Sequence, residues 1–174
     1  MHAFYTLVLS LVIGTAALPT AEPEPPVVTK WYTWEEAVEL QKTEPRKMLV
    51  DVYTDWCGWC KKMDKETFGN PKLAKYLNEN FYAVKFDAEQ REPIRYDGHD
   101  FVWKDAGRNG IHMLAYALLD GKMSYPTVVF LNEDLERVMI SKGFKRVDRM
   151  YQELRFVEEE AYRSTTLEKF LEND

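Results

Sequence analysis

The segment "VDVYTDWCGWCKKM", Val50–Met63, contains both cysteines of the chain, Cys57 and Cys60. Two residues separate them, and each directly follows a tryptophan, Trp56 or Trp59. Three kinds of chemistry fit such a pair: a structural disulfide, half of a metal site, or two thiols that exchange electrons with a partner. The residues around the pair favour one of these over the others.

The cysteines stand where a strand is predicted to give way to a helix. Residues Lys47–Thr54 form a short apolar run, typical of a strand buried on both faces, and "CKKMDKETF" is predicted to be helical. Cys57 then lies at the helix N-terminus, where unpaired amides and the helix dipole stabilise a thiolate, the form that attacks disulfides. Cys60, one turn into the helix, is close enough to resolve the resulting mixed disulfide.

The other two chemistries are disfavoured by spacing. A disulfide across two residues closes almost no loop, so it would restrict the unfolded chain little. A zinc site needs two further ligands, and His99 and His112 lack a ligand-like spacing. Covalent haem needs a histidine where Lys61 stands. We therefore expect redox chemistry without a metal or bound cofactor; a structural disulfide and a metal site shared between two chains are the remaining alternatives.

Composition limits the partners. The 174 residues, 45% of them hydrophobic, are enough for one domain with a buried core. The net charge of -6 offers no basic surface to a polyanion, so we expect no nucleic-acid partner.

The N-terminal residues are predicted to lie outside the fold. The uncharged apolar run Ala3–Leu18 is shorter than the ~20 residues of a spanning helix and ends in small residues. It predicts a signal peptide over residues 1–17, export to the periplasm or medium, and no stable membrane insertion after cleavage. An uncleaved anchor is the alternative, because no Lys or Arg precedes the run. Residues 18–29, rich in proline, are predicted to be a disordered linker.

Residues 30–174 are predicted to form one α/β domain, because helix and strand patterns alternate along them. "TWEE" at Thr33–Glu36 fits a capping box, and Asn70 before Pro71 fits a second helix start. Asp148 is expected to cap a C-terminal helix. Residues 89–124 show no strand pattern and one predicted helix, over residues 111–119, so they are interpreted as a helical insertion.

Three separated motifs resemble the thioredoxin superfamily. "LVDVYTDWCGWCKKM" is similar to its active-site segment, "YPT" at Tyr125–Thr127 resembles its cis-proline segment, and Gly143 matches its late glycine. The segment around the cysteines resembles most the secreted bacterial, thioredoxin-like proteins related to DUF255. The resemblance, from Lys47 to the C-terminal helix, implies a thioredoxin fold: a central mixed β-sheet flanked by helices, with the insertion before the cis-proline loop.

The resemblance also implies catalytic roles. Cys57 would be the nucleophile and Cys60 the resolving thiol. Asp51, in an otherwise apolar strand, would have its pKa raised by burial and would exchange the proton of Cys60. A strand-edge aspartate open to water is the alternative. Lys85 is expected either to face Asp51 from the neighbouring strand or to be solvated.

Four residues are expected to bind substrate. Trp56 would shield Cys57, and Trp59 places an aromatic ring where thioredoxin has proline. Pro126, if cis, would put the backbone of Tyr125 beside the cysteines, where an extended peptide can pair with it; a trans proline at a strand start is the alternative. The insertion's large side chains are expected either to shape a groove for a partner or to pack the insertion: Phe101, Trp103, His112 and Tyr116.

The resulting hypothesis is an exported thiol-disulfide oxidoreductase. Its substrates would be protein thiols and disulfides, and a membrane or exported redox donor would supply electrons. A reductase or isomerase is favoured over an oxidase. The alternative is a non-catalytic, peptide-binding or chaperone-like module on the same fold.

Overall fold

A five-stranded mixed sheet organises the chain, for which the computed structural model describes residues 26–172. The strands among these residues are β1 (Trp31–Tyr32), β2 (Lys47–Tyr53), β3 (Phe81–Asp87), β4 (Ile94–Tyr96), β5 (His99–Phe101), β6 (Trp103–Lys104), β7 (Ile111–His112), β8 (Thr127–Leu131) and β9 (Arg137–Lys142). The central sheet has the order β1-β3-β2-β8-β9. Its first three strands are parallel, and β8 and β9 are antiparallel to their neighbours.

Helices cover both faces of this sheet. The α-helices are α1 (Trp34–Gln41), α2 (Gly58–Met63), α3 (Pro71–Asn80), α4 (Met113–Leu118), α5 (Val147–Glu158) and α6 (Leu167–Glu172). A π-helical segment, Asp64–Phe68, continues α2, and a short 3-10 helix spans Ala161–Arg163. The predicted α/β class, a mixed central sheet flanked by helices, is confirmed.

Side-chain alternation along β2 divides the core in two. Met48, Val50 and Val52 point to a cluster that includes α1 and α4, whereas Leu49 points to a cluster that includes α2, α3 and α5. Because strand side chains alternate between faces, Asp51 lies on the same face as Leu49. The carboxyl group thus enters the layer of α2, the helix that carries the cysteines.

Two predicted helix starts are confirmed and one is wrong. The Thr33 hydroxyl accepts from the Glu36 amide at 3.1 Å, and the Glu36 carboxylate accepts from the Thr33 amide at 2.8 Å. The Asn70 side chain caps α3, with Pro71 in its first turn. Asp148 does not cap α5: the extended residue before the helix is Arg146, so Asp148 is already helical and lies in the first turn.

The insertion contains more than the predicted helix. The helix, α4, begins two residues late because Ile111 and His112 pair as β7 with β6. Strands β4 and β5 form a hairpin whose turn residues, Asp97 and Gly98, both have positive φ. "DG" is a recognised signal for this turn, so the hairpin was detectable in the sequence. Ile94 and Leu114 are buried in the α1 cluster, which shows that the insertion shares the domain's core.

The start of the described chain is held against α3. The Asn78 side chain donates to the Val28 carbonyl and accepts from the Lys30 amide. The Thr29 hydroxyl donates to the Phe68 carbonyl at 2.7 Å. Contact with the domain therefore begins before residue 30. The predicted signal peptide, residues 1–17, and most of the predicted linker, residues 18–29, lie outside the described residues.

Candidate active site

Cys57 and Cys60 form a disulfide at the start of α2, with their Cα atoms 5.3 Å apart. Cys57 is the N-cap, and its sulfur accepts a hydrogen bond from the Cys60 amide at 3.1 Å. The Cys57 amide donates to the Thr54 carbonyl, which fixes the turn between β2 and the helix. Cys57 is 4% exposed and Cys60 1%. Both residues are nearly fully buried in the disulfide, and Cys57, at the end of the helix, is the slightly more exposed of the two.

Asp51 is fully buried beneath this helix layer. Its side chain has no exposed surface, so a strand-edge position open to water is excluded. Lys85 is its direct partner in the β2–β3 register, and the lysine Nζ lies 2.5 Å from Asp51 Oδ2. The other oxygen, Oδ1, has no hydrogen-bond partner among the described residues. Burial raises the pKa of Asp51 to about 6, although the charge of Lys85 opposes the shift.

Lys85 bridges two carboxylates. Besides Asp51, its ammonium group contacts Asp64 Oδ1, at the start of the π-helical segment. It also lies over the rings of Trp31 and Tyr53, 5.0 and 4.8 Å from their centroids. The sequence pattern did not lead us to Asp64. Its signal was its position four residues after Cys60, because this spacing places both side chains on one helix face.

The two tryptophans beside the cysteines are exposed and held by different neighbours. Trp56, 61% exposed, donates from Nε1 to Glu89 Oε1 at 2.8 Å. Trp59, 58% exposed, packs on Phe144 with 5.5 Å between centroids. Large apolar rings left in solvent beside a disulfide are suited to contact a partner.

The Tyr125–Pro126 peptide bond is cis. The Pro126 carbonyl accepts from the Gly143 amide at 2.8 Å. Sheet pairing of β8 begins at Thr127, so Tyr125 lies outside the ladder. The Tyr125 ring packs edge-on against Trp56, with 5.8 Å between centroids. Burial, aided by the charges of Glu89 and Asp87, raises the Tyr125 pKa to about 12, so its hydroxyl is protonated at neutral pH.

Among the four large insertion side chains, only Tyr116 lines the cavity beside Trp56, which has a volume of about 750 Å³. His112 is buried: its Nδ1 accepts from the Leu114 amide, and Nε2 lies 3.2 Å from the Glu92 carbonyl. Burial lowers its pKa, so it is neutral and structural. Phe101 packs against the core, and Trp103 lies under Arg91, 4.4 Å from ring centroid to guanidinium.

Residues 26–172 contain no group of three or more His, Cys, Asp or Glu side chains arranged to hold a metal ion. Within the same range, no helix has the length and apolar character needed to cross a bilayer.

Comparison with known proteins assigns the family. Residues 20–161 match the family model Thioredox_DsbH, described as "Protein of unknown function, DUF255". The chain belongs to the DUF255 family. Curated relatives of this DUF255 chain include an uncharacterized protein of Caenorhabditis elegans, 33% identical over 109 residues, and "Spermatogenesis-associated protein 20" of Mus musculus, 37% identical over 65 residues. These matches cover 62% and 37% of the chain but only 13% and 8% of the relatives.

Solved structures similar to this DUF255 protein have the thioredoxin fold. A "DsbH Oxidoreductase" superposes with a TM-score of 0.57 at 16% identity, over 84% of this chain and 95% of that one. A thioredoxin from Thermus thermophilus gives 0.56 at 20% identity, over 74% and 86%. The predicted thioredoxin-like fold is confirmed.

Proposed function

We propose that this DUF255 protein is a thiol-disulfide oxidoreductase that exchanges the Cys57–Cys60 dithiol and disulfide with protein substrates. The observation that carries the proposal is the disulfide at the first turn of α2, with Cys57 as the N-cap and the slightly more exposed of the two residues. A sulfur at a helix N-terminus faces unpaired amides that stabilise its anionic form.

The proposed reaction begins with the reduced protein. The Cys57 thiolate attacks one sulfur of a substrate disulfide, which forms a mixed disulfide and releases one substrate thiolate. The Cys60 thiolate then attacks Cys57 Sγ. This step releases the second substrate thiolate and forms the Cys57–Cys60 disulfide, so two electrons pass to the substrate.

Asp51 is proposed to accept the proton of Cys60 when that thiol becomes the attacking thiolate. A carboxyl group with a pKa of about 6 is mostly ionised at pH 7, so it can take up a proton there. Proton acceptance from the resolving thiol belongs to the direction in which the substrate is reduced. By microscopic reversibility the same carboxyl group returns the proton when the substrate is oxidised, so Asp51 serves either direction. A reductase or isomerase is the direction proposed ahead of an oxidase.

Four residues are proposed to position the substrate around the thiols. Trp56 and Trp59 offer exposed rings on the two sides of Cys57 in the sequence. Tyr125 has a backbone outside the sheet ladder and is joined to the cis residue Pro126. An extended substrate segment can pair with that backbone as an added strand.

Export is proposed from the apolar run Ala3–Leu18, which would place the protein in the periplasm or outside the cell. That compartment is oxidising, so a membrane or exported donor has to reduce the disulfide after each turnover. No nucleic acid and no bound cofactor enter the proposal.

The experiment that tests the proposal is capture of substrates on a Cys60→Ser variant. Without the resolving thiol, mixed disulfides on Cys57 persist and can be isolated under non-reducing conditions. Cys57→Ser is the matched control, since it keeps one cysteine in the same helix turn. Captured proteins on Cys60→Ser alone support the proposal: one defined protein indicates a dedicated reductase, and many indicate an isomerase or oxidase. An empty trap in both variants contradicts thiol exchange.

A peptide-binding module without catalysis is the second candidate, and the cavity beside Trp56 favours it. Binding of this kind would not depend on sulfur chemistry. Disulfide reduction by the pre-reduced native chain separates the two functions: the oxidoreductase forms the Cys57–Cys60 disulfide as it reduces a substrate disulfide, whereas a module binds its partner and reduces nothing.

A further inference from the structure

The cavity beside the cysteines is built from two parts of the chain. One wall is Trp56 and Tyr125, the residues that adjoin Cys57 and the cis-proline. The opposite wall comes from the insertion and includes Ile111 and Tyr116. The cavity therefore adjoins the residues on either side of the thiol site, Trp56 before Cys57 and Tyr125 before the cis-proline, and the insertion gives it a second wall.

The lining is apolar and open to solvent. Tyr116 is 47% exposed although it is a large aromatic residue, and Ile111 and Met123 extend the apolar surface beside it. A volume of about 750 Å³ lies within the range of cavities that bind ligands, and it exceeds what one side chain fills.

Glu89 holds the two walls together. Its Oε1 accepts from Trp56 Nε1 at 2.8 Å, and both of its oxygens accept from Asn109 Nδ2, at 3.1 and 3.2 Å. This link ties the ring next to Cys57 to the loop of residues 106–110. A wall already held in place does not have to be ordered when a ligand binds.

Arg108 supplies a charge at the rim. It lines the cavity, is exposed, and makes no ion pair with another residue of the range 26–172. The carboxylate on the same lining, Glu89, already accepts hydrogen bonds from Trp56 and Asn109. These neutral donors occupy the Glu89 oxygens but leave its charge in place, whereas Arg108 has no ionic partner among residues 26–172 and can pair with a carboxylate of the ligand.

The position of the Tyr125 backbone favours an extended polypeptide as the ligand of the cavity. It stands outside the sheet ladder at the cavity edge, so an extended polypeptide can align with it while one side chain enters the apolar space. A small disulfide would use neither the backbone nor the far wall formed by the insertion.

We propose that the cavity is the substrate-specificity site of this protein: it receives a large apolar side chain flanking the reactive cysteine of an extended substrate segment, while Arg108 pairs with a carboxylate of that segment. The inference rests on the proposed function, since it assigns the substrate class of the same thiols.

The test uses the pre-reduced full chain in single turnovers, so that no outside reductant is needed. Four peptides each carry one cysteine joined by a disulfide to 2-mercaptoethanol, with Phe or Ser beside the cysteine and Asp or Lys further along. Each turnover forms the Cys57–Cys60 disulfide and releases the peptide thiol and 2-mercaptoethanol. Bis(2-hydroxyethyl) disulfide, which has no side chain for the cavity, reports the thiol chemistry alone.

We expect the native protein to react with the Phe peptides about tenfold faster than with the Ser peptides, because the apolar ring is buried on binding. Tyr116→Ser should reduce this preference to about twofold or less and leave the rate with bis(2-hydroxyethyl) disulfide unchanged. Tyr151→Ser is the matched control, an exposed tyrosine on α5 outside this cavity, and should keep the full preference. Arg108→Glu should reverse the order of the Asp and Lys peptides.

Equal rates for Phe and Ser peptides, with normal reduction of bis(2-hydroxyethyl) disulfide, would overturn the specificity site and leave the proposed function intact. Failure to reduce any disulfide would instead contradict the proposed function. In that case, calorimetry with the free Phe and Ser peptides and the Cys57→Ser, Cys60→Ser variant still tests whether the cavity prefers an apolar side chain. Equal affinities for the two peptides would refute this preference. A dimer of the native chain that Tyr116→Ser dissociates would assign the cavity to a second copy and also overturn the proposal.

Discussion

Lys85 Nζ lies 2.5 Å from Asp51 Oδ2, and this ion pair joins the fully buried carboxylate of β2 to the edge of the helix layer that carries Cys57 and Cys60. Because Lys85 also contacts Asp64, it is shared between a buried and a half-buried acid. The pairing lowers the cost of burying Asp51 without removing it, since the Asp51 pKa is still raised to about 6. Two predictions concern this cluster.

In the oxidised state, the Asp51→Asn variant should become more stable relative to the native chain as pH rises. Between about pH 4 and 6 the folded chain keeps a proton on Asp51 that the unfolded chain has released, so native stability falls across this window. A shift from 3.8 to about 6 corresponds to about 3 kcal/mol. About half a kcal/mol of this is already lost at pH 4, so urea unfolding at pH 4 and pH 7 should show the free energy of unfolding of the variant, minus that of the native chain, rising by about 2.5 kcal/mol.

Asp55→Asn is the control for this measurement, because it removes the same charge from an exposed position four residues away. A difference between Asp51→Asn and the native chain that stays constant from pH 4 to 7 would refute the buried, proton-binding role of Asp51.

Asp64→Asn should lower the Asp51 pKa below about 6. The negative charge of Asp64 raises the Asp51 pKa. When that charge is removed, Lys85 pairs with Asp51 alone, which also lowers the Asp51 pKa. Carbon-13 NMR titration of the Asp51 carboxyl in the oxidised protein should show its midpoint moving to lower pH by up to about one unit. Glu66→Gln, an exposed acid on the same π-helical segment, should leave the midpoint in place. An upward shift in Asp64→Asn would contradict the shared lysine.

Trp59→Pro should make Cys57 slower to alkylate at a given pH than Trp59→Ala. The amide of Trp59, in the first turn of α2, has no acceptor within the helix, and it adjoins the Cys60 amide that donates to Cys57 Sγ. Proline removes that amide, whereas alanine removes only the ring. In the reduced protein we expect the alkylation midpoint of Trp59→Pro to lie about half a pH unit above that of Trp59→Ala. Equal midpoints would mean that this amide does not stabilise the thiolate.

Much of the site could be predicted because its signals are local. Three sequence signals each indicate the backbone conformation close to them: the apolar run before Cys57, the cap at Asn70 and the "YPT" segment. The strands and helices follow from these conformations. The pairing of Asp51 with Lys85 depends on the β2–β3 register, which sequence left open between a paired and a solvated lysine. Asp64 escaped notice because its contact with Lys85 joins the segment after α2 to a distant strand.

The insertion was the least predictable part. Strands β6 and β7 have two residues each, too few to show an alternating pattern. The β4–β5 hairpin did carry a turn signal at Asp97 and Gly98, but its strands are only three residues long. Their positions depend on packing against the core, at Ile94 for example, which no local pattern reports.

The most direct test of thiol chemistry is the pH dependence of alkylation in the reduced native protein, followed by peptide mapping of each cysteine. We predict that Cys57, the N-cap residue at the helix N-terminus, is modified alone, with a midpoint well below the ~8.5 of a free cysteine. Alkylation of both Cys57 and Cys60 together, with midpoints near ~8.5, would contradict the account.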